Sequence, residues 1–248
     1  MGRLPILLYG VASYLIFFVT FLYLIAFLGN FDQIPYVTKT IDSGMPGGIG
    51  EAMLVNAGLM ALFALTHTVM ARPWFKARLT RIIPAAAERS TYVLVASLAL
   101  ILLYDQWRPM TDTVWSVTDP AWATVLWVGY FAGYGIVLLS TFLINHFELF
   151  GLSQVFANMQ RKSLPETRFV QPLLYKLVRH PLYVGWIMAF WATPEMTTGH
   201  LFFAIGLTAQ ILVSIPHEER DIEDALGEPY EEYKRRTPML IPFLKSKR

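Results

Sequence analysis

The uncharged apolar run over residues 4–28 constrains the fold more than any other feature, and comparable runs follow at 52–71, at 91–103 with a Tyr104 edge, and at 121–144. A spanning helix needs roughly 20 apolar residues, because each adds about 1.5 Å toward a hydrocarbon core about 30 Å thick. All four runs meet or approach that length, the third being the shortest. The first is much longer than the roughly 7–15-residue apolar core of a signal peptide, and no small-residue cleavage site follows it, so it reads as a retained helix. Hydrophobic residues make up 55% of the 248-residue chain and charged ones 15%, with a mean hydropathy of +0.45. That balance lies outside the range of soluble domains and predicts an all-α integral membrane protein.

The apolar run over 182–215 is too long for one span and too short for two full ones. Pro194 and Gly199 flank the stretch "EMTT" and predict a break into two short helices. The basic residues support that reading. With a hairpin there, 18 of the 20 Lys and Arg residues fall on one face, in groups around Arg3, Arg72 to Arg89, Arg161 to Arg179 (with Arg168 among them) and Arg220 to Arg248. Lys39 and Arg108 alone remain opposite. Such asymmetry marks the cytoplasmic face. The expected architecture is four transmembrane helices plus a C-terminal helical hairpin, about six membrane helices in all, with both termini cytoplasmic. The chain reads as a single membrane domain over 1–248: N-terminal transmembrane helices over 1–144, then a core over 145–248 that carries the hairpin 182–215 and a cytoplasmic tail 216–248. The outer loops 29–51 and 105–120 read as connectors.

Cysteine is absent, which removes disulfides, thiolate metal ligands and a cysteine nucleophile. A formal net charge of +2 gives no reason to expect nucleic acid as a partner. His217 in "HEERD" lacks the second histidine of a zinc helix, since Asp221 stands where it would be, and no metal is expected. His200 is expected at the outer surface. His67, in the second span with Asn56 about three turns before it, reads either as a functional intramembrane histidine or as one end of an interhelical hydrogen bond. "RPWFKARLTR" reads as a solvated basic loop at the headgroups.

Most of the polar residues gather in two cytoplasmic segments, 145–181 and 216–248. At the mouth of the hairpin, "LVRHPLYVGW" places Arg179 and His180 on the first turn of a membrane helix. Taken alone, that pair has a bland meaning: an arginine snorkelling to headgroups and a histidine capping a helix. The returning arm, however, ends in "IPHEERDIE", which brings Glu218 and Glu219 out on the same face, and "LGEPYEEYKRRTPMLIP" adds Tyr230, Tyr233, Arg235 and Arg236 with prolines that turn the chain. Cationic, aromatic and carboxylate groups thus converge where a polar ligand could meet an apolar substrate.

This combination, Arg-His-Pro-x-Tyr-x-Gly, then a Glu-Glu pair, then Tyr-x-x-Tyr-x-x-Arg with a proline after it, resembles the isoprenylcysteine carboxyl methyltransferase superfamily of integral membrane methyltransferases. The preceding "STFLINHFELFGLSQVF" resembles a narrower bacterial branch that methylates methanethiol to dimethyl sulfide. The resemblance implies S-adenosylmethionine as cofactor and methyl donor, a small thiol as substrate, and a bacterial cytoplasmic membrane with the active site on its cytoplasmic side. It implies that His180 and Tyr183 line the cofactor pocket, with Pro181 and Gly185 shaping the backbone there. Glu218 and Glu219 would bind the ribose hydroxyls or the methionyl ammonium, and Tyr230 and Tyr233 would wall the adenine. Arg179 and Arg236 would sit nearest the reacting groups or pair with the cofactor carboxylate. The chemistry of the ligand agrees, since its sulfonium and ammonium favour carboxylates and aromatic faces while its carboxylate favours an arginine fork.

A thiol attacks as its thiolate, so a proton must leave or be shared. In "NHFEL", His146 is the natural general base or thiolate stabiliser, with Asn145 and Glu148 beside it as candidate substrate-binding residues. The alternative is that Asn145 and His146 cap the fourth span. A third possibility needs no base: Arg179 or Arg236 lowers the thiol pKa by charge. Two other functions are compatible with parts of the chain, methylation of an isoprenylated cysteine carboxylate or a lipid, and a non-enzymatic protein holding haem between His67 and His146.

Overall fold

The computed structural model describes residues 2–45, 47–163 and 170–244. Arg168, Lys245, Lys247 and Arg248 of the charge pattern lie outside the described residues. In chain order the helices are α1 (Arg3–Leu28), α2 (Ile49–Ala71), α3 (Pro73–Leu79), α4 (Glu88–Gln106), α5 (Pro120–Ile144), α6 (His146–Leu149), α7 (Leu152–Gln160), α8 (Pro181–Trp191), α9 (Thr198–Leu226) and α10 (Glu228–Arg236), with short strands β1 (Thr113–Ser116) and β2 (Glu195–Thr197). Among the described residues α1, α2, α4, α5 and α9 are each long and apolar enough to cross a membrane, as expected of an integral membrane protein. The third span is longer than its apolar run, because polar residues at 88–90 and 105–106 extend α4 at both ends.

The C-terminal hairpin differs from expectation. Instead of two short helices it pairs a short arm with a long one: α8 has 11 residues and α9 has 29. At about 1.5 Å per residue α8 reaches only ~16 Å, about half a bilayer core. Pro181 starts α8 at its first turn and the chain leaves it before Pro194, the two positions where proline suits a helix boundary. By contrast, Pro216 lies inside α9, which continues to Leu226. The lost N–H falls where the sequence turns polar, so the freed carbonyl sits near the end of the apolar stretch rather than deep in lipid.

The chain divides into two compact units. The first comprises Met1–Val114, His146–Glu166 and Thr197–Phe203. In it α4 packs on both α1 and α2, and α7 lies along α1. Ile6, Ala87, Leu152 and Val155 form one apolar cluster, and Met70, Tyr92 and Val93 another. Polar bonds tie the same helices: Tyr9 Oη donates to Thr91 Oγ1 (2.9 Å), and Asn56 exchanges two bonds with the Arg108 backbone (2.8 and 2.9 Å). The loop after α1 is also fastened, with Asp42 accepting from Asn30 Nδ2 (2.6 Å) and Thr197 Oγ1 (2.7 Å).

The second unit comprises Trp115–Asn145, Thr167–Met196 and Ala204–Arg248. Asp119 caps α5 by accepting from the Ala121 and Trp122 amides, both at 3.0 Å, with Pro120 in the first turn. The α5–α8 contact rests on two glycines. A Cβ on Gly185 would lie 2.7 Å from the Gly133 carbonyl oxygen and 2.8 Å from the Val137 nitrogen, and one on Gly133 would lie 2.6 Å from the Ala189 nitrogen. The backbones therefore touch where any side chain would part them, the small-residue packing expected in lipid.

Candidate active site

The site in the second unit is assembled at the polar ends of α8, α9 and α10. Gly227, with φ at 64°, turns the chain from α9 into α10, a conformation that glycine adopts without a Cβ penalty. Past α10 the chain runs beside the entry to α8: the Arg179 amide donates to the Pro238 carbonyl (2.8 Å) and the His180 amide to that of Met239 (3.2 Å). Pro238 thus follows the helix end and re-aims the chain, as the proline-rich sequence suggests.

Glu219 is the centre of the arrangement. It is buried, and its Oε1 accepts from Arg179 Nε (2.7 Å) and lies 3.0 Å from His180 Nε2, while Oε2 lies 3.3 Å from Lys234 Nζ. A carboxylate only accepts, so His180 carries its hydrogen on Nε2. Arg179, equally buried, also donates through Nη1 to the carbonyls of Thr237 (2.5 Å) and Lys234 (3.1 Å). Those carbonyls close the C-terminal turn of α10, where a cation meets both unpaired acceptors and the negative end of the helix dipole. One guanidinium therefore joins the start of α8, the polar end of α9 and the end of α10.

Around this core, Tyr183 Oη donates to Glu218 Oε2 at 2.7 Å, and the Tyr183 ring stacks beside His180 with centroids 5.5 Å apart. Glu218 is half-buried, so of the two adjacent carboxylates it is the one with surface left for a ligand. Tyr230 and Tyr233 are buried side by side, and Tyr233 Oη donates to the Tyr175 carbonyl (2.6 Å). Burial pushes the Tyr233 phenol up to about 12 and raises those of Tyr230 and Tyr175 as well, so all three phenols are neutral at physiological pH. Lys234 bridges Glu219 and Glu223 (2.5 Å to Glu223 Oε1), and these carboxylates, Glu223 foremost, hold its ammonium above the usual lysine range.

Six residues singled out in the sequence, Arg179, His180, Tyr183, Glu218, Glu219 and Tyr233, are thus brought together here by side-chain hydrogen bonds and backbone pairings, with Tyr230 packed beside Tyr233. Arg236 is not among them: its side chain is 72% exposed and pairs with Glu232 one turn earlier. Arg235 is exposed too, so the buried guanidinium is that of Arg179. Sequence reasoning missed Lys234 and Tyr175. Lys234 lies one helical turn after Tyr230, a spacing that puts it on the inward face, whereas nothing local marked Tyr175.

Asn145 closes α5, its amide bonded to the Thr141 carbonyl (3.1 Å) and its φ at 127°. Asparagine tolerates positive φ better than most residues, and in this it serves as a cap. His146 does not share that role. It begins α6 in the first unit, buried, with Nε2 2.8 Å from Tyr14 Oη and its ring among those of Tyr14, Phe147 and Phe150. Burial lowers its pKa, so the imidazole is neutral and able to accept a proton. Glu148 is half-buried, and its carbonyl accepts from Gln154 Nε2 (3.0 Å) and the Gly151 amide (3.2 Å). His67 lies 3.0 Å from the Tyr92 hydroxyl, the interhelical bond that was one of its two readings. His200 is buried rather than at the surface, and its amide bonds Thr197 Oγ1 (3.2 Å). His217 is exposed.

No family model and no solved structure matches the chain. Among curated proteins it is 49% identical to the methanethiol S-methyltransferase of Mycobacterium tuberculosis over 98% of each chain. It is 52% identical to methanethiol S-methyltransferase 1 of Bradyrhizobium diazoefficiens over 96% of this chain and 82% of that one. To the enzyme of that name from Crocosphaera subtropica it is 46% identical over 100% of this chain and 95% of the other. At such identity over nearly full length, the chain belongs to the methanethiol S-methyltransferase family.

Proposed function

We propose that the protein transfers a methyl group from S-adenosylmethionine to a small thiol, methanethiol above others, giving dimethyl sulfide at the cytoplasmic face of the membrane. The observation that carries this reading is the cluster around Glu219, a rigid polar end of a membrane helix with a ligandable carboxylate, Glu218, and neutral aromatic walls beside it. The names of relatives nearly half identical in sequence supply the methyl acceptor. The excess of Lys and Arg on one face supports the cytoplasmic side.

The donor set suits the cofactor. Glu218 offers a carboxylate to the ammonium or the ribose hydroxyls, His180 and Tyr183 flank it, and Tyr230 and Tyr233 present apolar ring surface to an adenine. When bound, S-adenosylmethionine supplies the methyl carbon, which forms a bond to the thiolate sulfur as its bond to the sulfonium sulfur breaks. Glu219 and Arg179 act as positioning residues: their mutual bonds fix His180 and the end of α10. His146, neutral and buried, takes the thiol proton, with Tyr14 holding the imidazole. Asn145 and Glu148 flank it along the chain as the proposed substrate contacts.

The reaction is tested by headspace gas chromatography of the detergent-purified protein with methanethiol and S-adenosylmethionine, each omitted in turn. Dimethyl sulfide that needs both supports the proposal. Cofactor binding without product would redirect it to prenylated or lipid acceptors.

A further inference from the structure

Far from the Glu219 cluster in sequence, α1 and α4 of the first unit leave a groove of about 510 Å³ between them, within the size range of small-molecule sites. Leu15, Ile16, Val19 and Ile101 line its length, and all four side chains are open to the outside. Its other end is polar, with Tyr23, Lys39 and Asp105. From Leu15 to Tyr23 the helix rises about 12 Å, most of the ~15 Å that one leaflet contributes to the core.

The polar end is built rather than loose. Tyr23 Oη donates to the Lys39 carbonyl (2.8 Å) and accepts from the Lys39 amide (3.0 Å), which pins the loop over the groove. The Lys39 ammonium donates to the Asp105 backbone carbonyl, while the Asp105 carboxylate accepts from Gln106 Nε2 (2.6 Å). An ammonium has three donors, so the carbonyl does not exhaust it. Asp105 acts on its charge and, less strongly, so does Arg108. Lys39 and Arg108 are also the two cations that the charge pattern sets apart from the other 18. An apolar trough one leaflet deep, with the Lys39 ammonium at its mouth and the Asp105 carboxylate there already bonded to Gln106, matches the division of a phospholipid into chain and headgroup phosphate.

We propose that this groove binds one anionic phospholipid of the leaflet opposite the cation-rich face, an acyl chain lying along Leu15, Ile16, Val19 and Ile101 and its phosphate on the Lys39 ammonium. The site is independent of the methyl-transfer reading. Native mass spectrometry of the full chain in detergent, offered phosphatidylglycerol or phosphatidylcholine at equal concentration, tests it. The expected result is a single retained phosphatidylglycerol, roughly fivefold over phosphatidylcholine, with that preference lost in Lys39→Met. Val19→Trp, which fills the trough and leaves the cation, should remove the adduct of either lipid. Equal retention of the two lipids, or phosphatidylglycerol retention unchanged in Lys39→Met or in Val19→Trp, overturns the proposal. So does a dimer that Val19→Trp dissociates, which would assign the groove to a second copy of the chain.

Discussion

At the scale of single residues, adjacent carboxylates have opposite tasks. Glu219 is buried against Arg179 and His180, whereas Glu218 has Tyr183 as its bonded neighbour and surface to spare. Glu219→Gln strands the buried Arg179 and is expected to lower stability by about 3 kcal/mol, read as a fall in melting temperature in detergent. Glu218→Gln should leave melting almost unchanged and weaken cofactor affinity roughly tenfold or more by calorimetry. The reverse pattern would exchange their roles. His146 supplies a pH test. Its folded pKa lies below the unfolded value of about 6.5, so the unfolded chain binds the proton more readily. Its contribution to stability is therefore complete above about 6.5 and is lost as pH falls toward the lowered folded pKa. His146→Asn should flatten that part of the melting-temperature profile and lower turnover more than cofactor affinity. An unchanged profile and turnover would leave His146 with a packing role alone. The sequence shows these residue types and their grouping, but not which carboxylate is satisfied internally. That depends on Lys234 and on carbonyls of α10, groups whose identity carries no motif. Arg236 shows the converse: its place in the repeating pattern suggests the site, yet on α10 it faces outward toward Glu232.

At the scale of elements, the contact of α5 with α8 depends on Gly133 and Gly185. Because the atoms that an added Cβ would meet are backbone, the helices must move apart. Gly185→Ala is expected to cost about 1–3 kcal/mol and to displace Tyr183 two residues away, so melting temperature and cofactor affinity should fall together. Retention of both would show that the helices can separate without disturbing the site. Long apolar runs make α1, α2, α4 and α5 legible in the sequence, since in lipid a helix satisfies its own backbone. The unequal hairpin is not legible in the same way. Hydropathy reports where the chain is apolar, and α9 runs on through Pro216 into polar sequence where its backbone no longer depends on lipid, so its end is fixed by Gly227 instead.

For the whole molecule, the proposed orientation, drawn from the distribution of basic residues, has both termini and the Glu219 cluster on the cytoplasmic side. The absence of cysteine makes this simple to check with single introduced thiols. Tyr36→Cys, at a fully exposed position after α1, should react with a membrane-impermeant maleimide on intact cells. Asp224→Cys, exposed near the end of α9, should react only after lysis. Labelling of both from outside would remove the even number of crossings. The central claim is the transfer itself, and it is tested most directly with S-adenosylmethionine bearing a fully deuterated methyl group. Given that donor and unlabelled methanethiol, the purified protein is expected to release dimethyl sulfide in which one methyl is fully deuterated and the other carries no label, as read by headspace mass spectrometry. Dimethyl sulfide without deuterium, or none at all from folded protein that binds the cofactor, would contradict it.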